Sequence, residues 1–90
     1  MTFSREQLDY LSQFEKNFHE VLDMRICRNI GDRTTEAIAE LWHSVKNTPK
    51  RSYRCAQCRA NLLRQVGTAY RQDIAELASK RRRKAAKTEE

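Results

Sequence analysis

Apolar residues near the start of the chain recur at Leu8, Leu11, Phe14, Phe18, Val21 and Leu22, spacings of three and four that gather them on one helical face. Ser4 stands before this run and Gln7 three residues after it, the pair that can form a capping box. Phe3 and Leu8 flank the cap as a hydrophobic staple. The pattern predicts a first helix from Ser4 to about Met24.

Arg25 to Asp32 reads as a connection, with Gly31 free to take positive φ and Asp32 placed to cap the next helix. The second helix, about Arg33 to Lys46, puts Ala37, Ile38, Leu41, Trp42 and Val45 on one arc. On the same wheel His43 falls opposite, beside Glu36 and Glu40. Asn47-Thr48-Pro49 ends the helix, because the residue before a proline is pushed out of the α region.

The third helix is expected from about Arg54 to the Arg81 region. Cys55, Cys58, Leu62, Leu63, Val66, Ala69, Tyr70, Ile74 and Leu77 share its apolar arc. About 28 residues at 1.5 Å each give about 42 Å, more than the other two helices can cover, so its far end should project. Gly67 inside it is poor for helix propensity and points to close helix packing or simple tolerance. Ala85 to Glu90 is expected to fray.

Two glycines and one proline leave little turn punctuation, and 39% apolar with 33% charged residues is a globular balance. The fold class expected is all-α, a three-helix bundle over 1–79 whose long basic third helix projects at its C-terminal end, with 80–90 as a basic extension. No stretch approaches the roughly 20 apolar residues of a membrane span, so a cytoplasmic protein without membrane contact is expected. Three cysteines, an odd number, favour thiols over a disulfide framework.

Charge divides the chain. Residues 1–40 hold eight acids and five bases, residues 41–90 four acids and thirteen bases, and no acid occurs from Leu41 to Gln72. The C-terminal half therefore suits a polyanion or an acidic protein surface. Arg64, Arg71 and Arg82 stack on the outer side of the third helix and lead into Lys80, Arg81, Arg82, Arg83 and Lys84. Guanidinium groups at this density suit nucleic acid phosphates, contacted with little regard to sequence. The connection between the second and third helices, Asn47 to Tyr53, is longer than that of a helix-turn-helix.

Cys55-x-x-Cys58 is half of a zinc site, for which Cys27, His19 and His43 are the remaining intrachain candidates; a site shared by two chains is the other arrangement. At a helix N-terminus beside Arg54 the pair could also be redox-active, though the βαβ context of thioredoxin-like chemistry is missing. The favoured reading is plainer: both cysteines lie on the apolar face and act as small hydrophobes, with no metal or cofactor. Tyr53, Cys55, Cys58, Leu62, Val66 and Gly67 together resemble small helical proteins encoded by tailed bacteriophages. That resemblance implies a phage accessory protein, in the host cytoplasm, and carries over no functional residue.

Two charges break the apolar arc. Arg59 and Asp73 lie seven residues either side of Val66, so two copies of this helix packed antiparallel about Val66 would pair Arg59 with Asp73 twice, as a homodimer. The alternative places Arg59 against a first-helix acid, Glu15 or Glu20, with Asp73 beyond the core. There is no glycine-rich phosphate loop and no nucleophile with a base at motif spacing. A non-catalytic binding module is the reading, contacting nucleic acid, with a protein-protein interaction factor that uses the third helix's apolar face as the rival.

Overall fold

The computed structural model describes residues 1–27, 30–49 and 53–89, with side chains through Lys80. Four helices make up this part of the chain: α1 Arg5–Ser12, α2 Glu15–Leu22, α3 Asp32–Lys46 and α4 Ala56–Glu89. The all-α class holds, and the count of three does not. The expected first helix is two, broken at Gln13 and Phe14, where the Phe14 N–H donates to Leu11 O at 2.9 Å as a tightened last turn. Neither glycine nor proline marks the break. Leu8, Leu11, Phe14, Phe18 and Val21 all stay buried across it, so the apolar phase survives the interruption.

The start of α1 follows its sequence closely. Gln7 N–H donates to Ser4 Oγ at 3.2 Å and Ser4 N–H to Gln7 Oε1 at 2.8 Å, completing the capping box. Phe3 and Leu8 are both buried. Phe3 also meets the Trp42 ring of α3 at 6.0 Å between centroids, so the staple ties the chain's start into the core.

The spine of the molecule is α4. Its 34 residues, about 51 Å at 1.5 Å each, account for the 53 Å long axis. Ala60, Leu62, Leu63, Val66, Ala69 and Tyr70 are buried beneath the other helices, whereas Ile74 is 40% exposed and Leu77 half-buried. Beyond Leu77 the backbone is helical through Glu89, past the expected end near Arg81. Gly67 explains how closely α2 approaches. A Cβ there would lie 3.0 Å from Phe18 Cδ1 and 3.1 Å from both Phe18 Cβ and Leu22 Cδ1, so the missing side chain is what lets the helices meet.

Capping of α3 differs from the sequence reading at its start. Gly31, at φ 89°, is the N-cap and Asp32 the first helical residue; Gly31 O accepts from Thr35 Oγ1 at 2.8 Å and Thr35 N at 3.0 Å. At the other end Asn47 takes the left-handed conformation, and Thr48 N–H reaches back to His43 O at 3.0 Å in a Schellman arrangement. The helix is also rotated from its hydrophobic solution. Thr35, Ile38, Ala39, Trp42 and His43 are buried, while Leu41 and Val45 are half-buried. His43, expected to face outward, is covered by Tyr53.

Candidate nucleic-acid interface

Where the end of α3 meets the middle of α4 an open groove forms. Trp42 lines it, with Lys46 beside it and Arg64, Gln65, Thr68 and Gln72 along the α4 wall. The spacing is helical: Arg64, Thr68 and Gln72 stand on successive turns of α4, and Trp42 and Lys46 on successive turns of α3. Lys46 Nζ sits 4.9 Å above the Trp42 ring, a cation-π contact that holds the ammonium over the groove. No carboxylate is among the described lining residues, and neither Lys46 nor Arg64 has an acidic partner among the described residues. The groove is therefore a cationic surface with its donors uncommitted.

Arg71, assigned to the same stripe by sequence, lies one step around α4 toward α2 and is already engaged. Its two terminal nitrogens fork onto Asp23, Nη1 to Oδ1 at 3.0 Å and Nη2 to Oδ2 at 2.6 Å, and His19 Nδ1 stands 2.7 Å from Oδ2. The Arg71 guanidinium, with His19 second, holds the Asp23 carboxyl down at about 2, and Asp23 in turn raises the Arg71 value. The preceding residue, Tyr70, donates its hydroxyl to Glu15 Oε1 at 2.6 Å, and burial first, the carboxylate second, pushes it up to about 12. The outer face of α4 thus divides into a clamped edge along α2 and an open edge along α3. Lys80 is exposed, with Glu76 Oε1 3.8 Å from its Nζ. Lys50, Arg51 and the side chains of Arg81, Arg82, Arg83 and Lys84 lie outside the described residues.

The two charges that interrupt the apolar arc have partners within their own chain. Asp73 is 2% exposed, and its carboxylate accepts the backbone N–H groups of Thr2 at 2.9 Å and Phe3 at 2.7 Å. It is a latch for the start of the chain, not a residue beyond the core. Arg59 pairs with Asp32 and donates through Nε to Tyr53 O at 2.9 Å, so its partner is the first residue of α3 where Glu15 or Glu20 was expected. Val66, proposed as the centre of a self-association surface, is fully buried.

Comparison with protein-family models, with curated proteins and with solved structures finds no match for this chain. Its chemistry is therefore read from its own geometry.

The cysteines depart furthest from expectation. Cys55 is exposed and Cys58 half-buried, so neither seals the core as a small hydrophobe, and the two are joined as a disulfide in place of the expected thiols. Cys27 is exposed as well. His43 is occupied at both ring nitrogens, Nδ1 2.8 Å from Thr48 Oγ1 and Nε2 2.6 Å from the Tyr53 hydroxyl, with the two rings stacked at 5.7 Å. Among the described residues no group of three or more His, Cys, Asp or Glu gathers in a way that could hold a metal ion, so the candidate zinc ligands are not brought together. No helix among them is long and apolar enough to cross a membrane.

Two features of this region were missed in the sequence. Lys46 counted only as one more cation in an acid-free stretch, although Trp42 and Lys46 at i and i+4 carry the signal for a ring beneath an ammonium. Tyr53 was read as the end of the connection between the second and third helices, and nothing in its spacing says that it closes over His43.

Proposed function

We propose that this protein is a non-catalytic accessory module that contacts nucleic acid through its phosphates, using the α3–α4 groove and the cationic end of α4. The observation that carries the reading is the pair Lys46 and Arg64, two cations without acidic partners among the described residues, in a groove whose described lining has no carboxylate. Phosphate contact needs such uncommitted donors, and polar neighbours such as Gln65, Thr68 and Gln72 can add hydrogen bonds to phosphate or sugar. The run from Lys80 to Lys84 extends the same charge along the helix that leaves the core. Arg71 is not assigned a phosphate, because Asp23 already takes both of its terminal nitrogens. Contacts of this kind position the protein on its target without reading bases.

An electrophoretic mobility shift over a salt series tests this. Binding to duplex or single-stranded DNA should weaken linearly on logarithmic axes. Replacing Lys46 and Arg64 together by Gln should reduce the slope by about 2, one condensed counterion per lost contact. Arg71→Gln should leave the slope in place. No binding at low salt overturns the proposal. A second reading, a protein-protein interaction factor, is favoured by one observation: Ile74 is 40% exposed and Leu77 half-buried on the apolar arc, where the other helices give out. That reading predicts a partner lost on Ile74→Glu and kept in the Lys46, Arg64 double variant.

A further inference from the structure

We propose that Cys55 and Cys58 are a redox-active dithiol-disulfide couple, with Cys55 as the exchanging sulfur, and that it trades electrons with small anionic thiol and disulfide compounds. This inference is independent of the nucleic acid reading. It rests on where the two sulfurs stand at the head of α4.

A bridge across three residues restricts little of the unfolded chain compared with one closing a long loop, so this one has modest value as a staple. The two Cα atoms are 5.2 Å apart, one helical turn, a separation that a first turn holds with or without the bond. The surrounding fold also sets the position of the pair. Tyr53 is held through its hydroxyl by His43 and through its carbonyl by Arg59, and Arg59 is paired with Asp32. Opening the disulfide therefore needs side-chain rotation and no rearrangement of the backbone.

The two sulfurs differ in access. Cys55 is exposed and can be reached from solvent, while Cys58 is half-buried beside Trp42, His43 and Tyr53. Cys55 also occupies the capping position of α4. Its carbonyl accepts from Arg59 N at 3.1 Å, and its Sγ accepts from Cys58 N at 3.0 Å. A thiolate at that position faces unsatisfied backbone N–H groups and the positive end of the helix, both of which favour it over the thiol. The neighbourhood agrees in sign: Arg54 is adjacent and exposed, no acid occurs between Leu41 and Gln72, and Asp32, the acid that reaches this end of α4, is paired with Arg59. The same positive field selects anionic reaction partners.

An external thiolate attacks Cys55 Sγ, forming a mixed disulfide, and Cys58 leaves with the electron pair as a thiolate that takes up a proton. A second external thiolate attacks the external sulfur of the mixed disulfide, releasing the external disulfide and Cys55 as thiolate. Two electrons pass from two small thiols to the protein, and the reverse sequence returns them.

The full chain carrying Cys27→Ser, equilibrated in mixtures of glutathione and glutathione disulfide and quenched by alkylation, tests the couple by mass spectrometry. The reduced fraction should follow the mixture and reach one value from either starting state. A protein that stays in its starting state overturns the proposal. In the same background, Cys58→Ser should accumulate a mixed disulfide on Cys55 at least about tenfold faster than Cys55→Ser accumulates one on Cys58. Equal or reversed rates overturn the assignment of Cys55. Raising the salt concentration should slow exchange with glutathione disulfide, and an unchanged rate overturns the preference for anions.

Discussion

Two helices lean on α4 from opposite sides, and they do so differently. On one side α2 comes close enough that a Cβ at Gly67 would be squeezed against Phe18 and Leu22, and the contact is closed by Tyr70 with Glu15 and Arg71 with Asp23. On the other, α3 stands off on the bulk of Trp42 and His43 and leaves open grooves lined by polar and cationic side chains. On the α2 side the described polar groups answer one another, while on the α3 side Lys46 and Arg64 still have donors to offer.

The α2 side is most sensitive at Gly67. Gly67→Leu should force α2 away and destabilise the protein by about 3 kcal/mol, read as a drop in the urea midpoint with little change in slope. Gly67→Ala sharpens the point, since a gain of about 1 kcal/mol in helix propensity opposes a squeeze of a few tenths of an ångström; a clear gain in stability would show that Phe18 and Leu22 can yield. Asp73→Ala comes next. It strands two backbone N–H groups and should cost about 2 kcal/mol, with Thr2 and Phe3 losing protection in hydrogen exchange.

Much of the α2 side was legible in the sequence, and most of the α3 side was not. The capping box at Ser4 and Gln7, the staple of Phe3 and Leu8, and the apolar run to Leu22 follow from local rules, because each needs only residues a turn apart. The break at Gln13 escaped those rules because the chain resumes in phase. For α3 the hydrophobic wheel pointed to Leu41 and Val45, yet the helix turned to bury His43, since Tyr53 and Thr48 satisfy both ring nitrogens and make the histidine a core residue. Arg59 and Asp73 were visible as misfits, and their role was not, because the partners of Asp73 are backbone N–H groups that any residue would supply. Cys55 and Cys58 matched the apolar face by spacing, but the helix begins there, ahead of the buried stretch that opens at Ala60.

Two smaller effects separate the clamps along α2. Tyr70 holds its proton up to about 12 against an ordinary 10.0, a value raised on folding. Its contribution to stability is thus complete below pH 10 and lost as pH rises toward 12; Tyr70→Phe should remove that alkaline step, checked by circular dichroism against pH. Asp23 is the reverse case, lowered from 3.8 to about 2. Its contribution is present above pH 4 and fades as pH falls toward 2, so Arg71→Gln should lower stability modestly at neutral pH, flatten the profile in that acid window and converge with the parent below it. Both effects should be absent from variants on the α3 side such as Arg64→Gln.

The latch at Asp73 has a kinetic meaning. Most of this fold joins residues near one another in the chain, in helices that can form early and independently. The bonds from Thr2 and Phe3 to Asp73 span 71 and 70 positions, and no shorter-range event can stand in for them. They can close only after α4 exists to hold the carboxylate in place and the intervening chain has collapsed around it. If this seam closes last in folding, Asp73→Ala should speed unfolding and leave the folding rate in place, read from stopped-flow kinetics over a urea series.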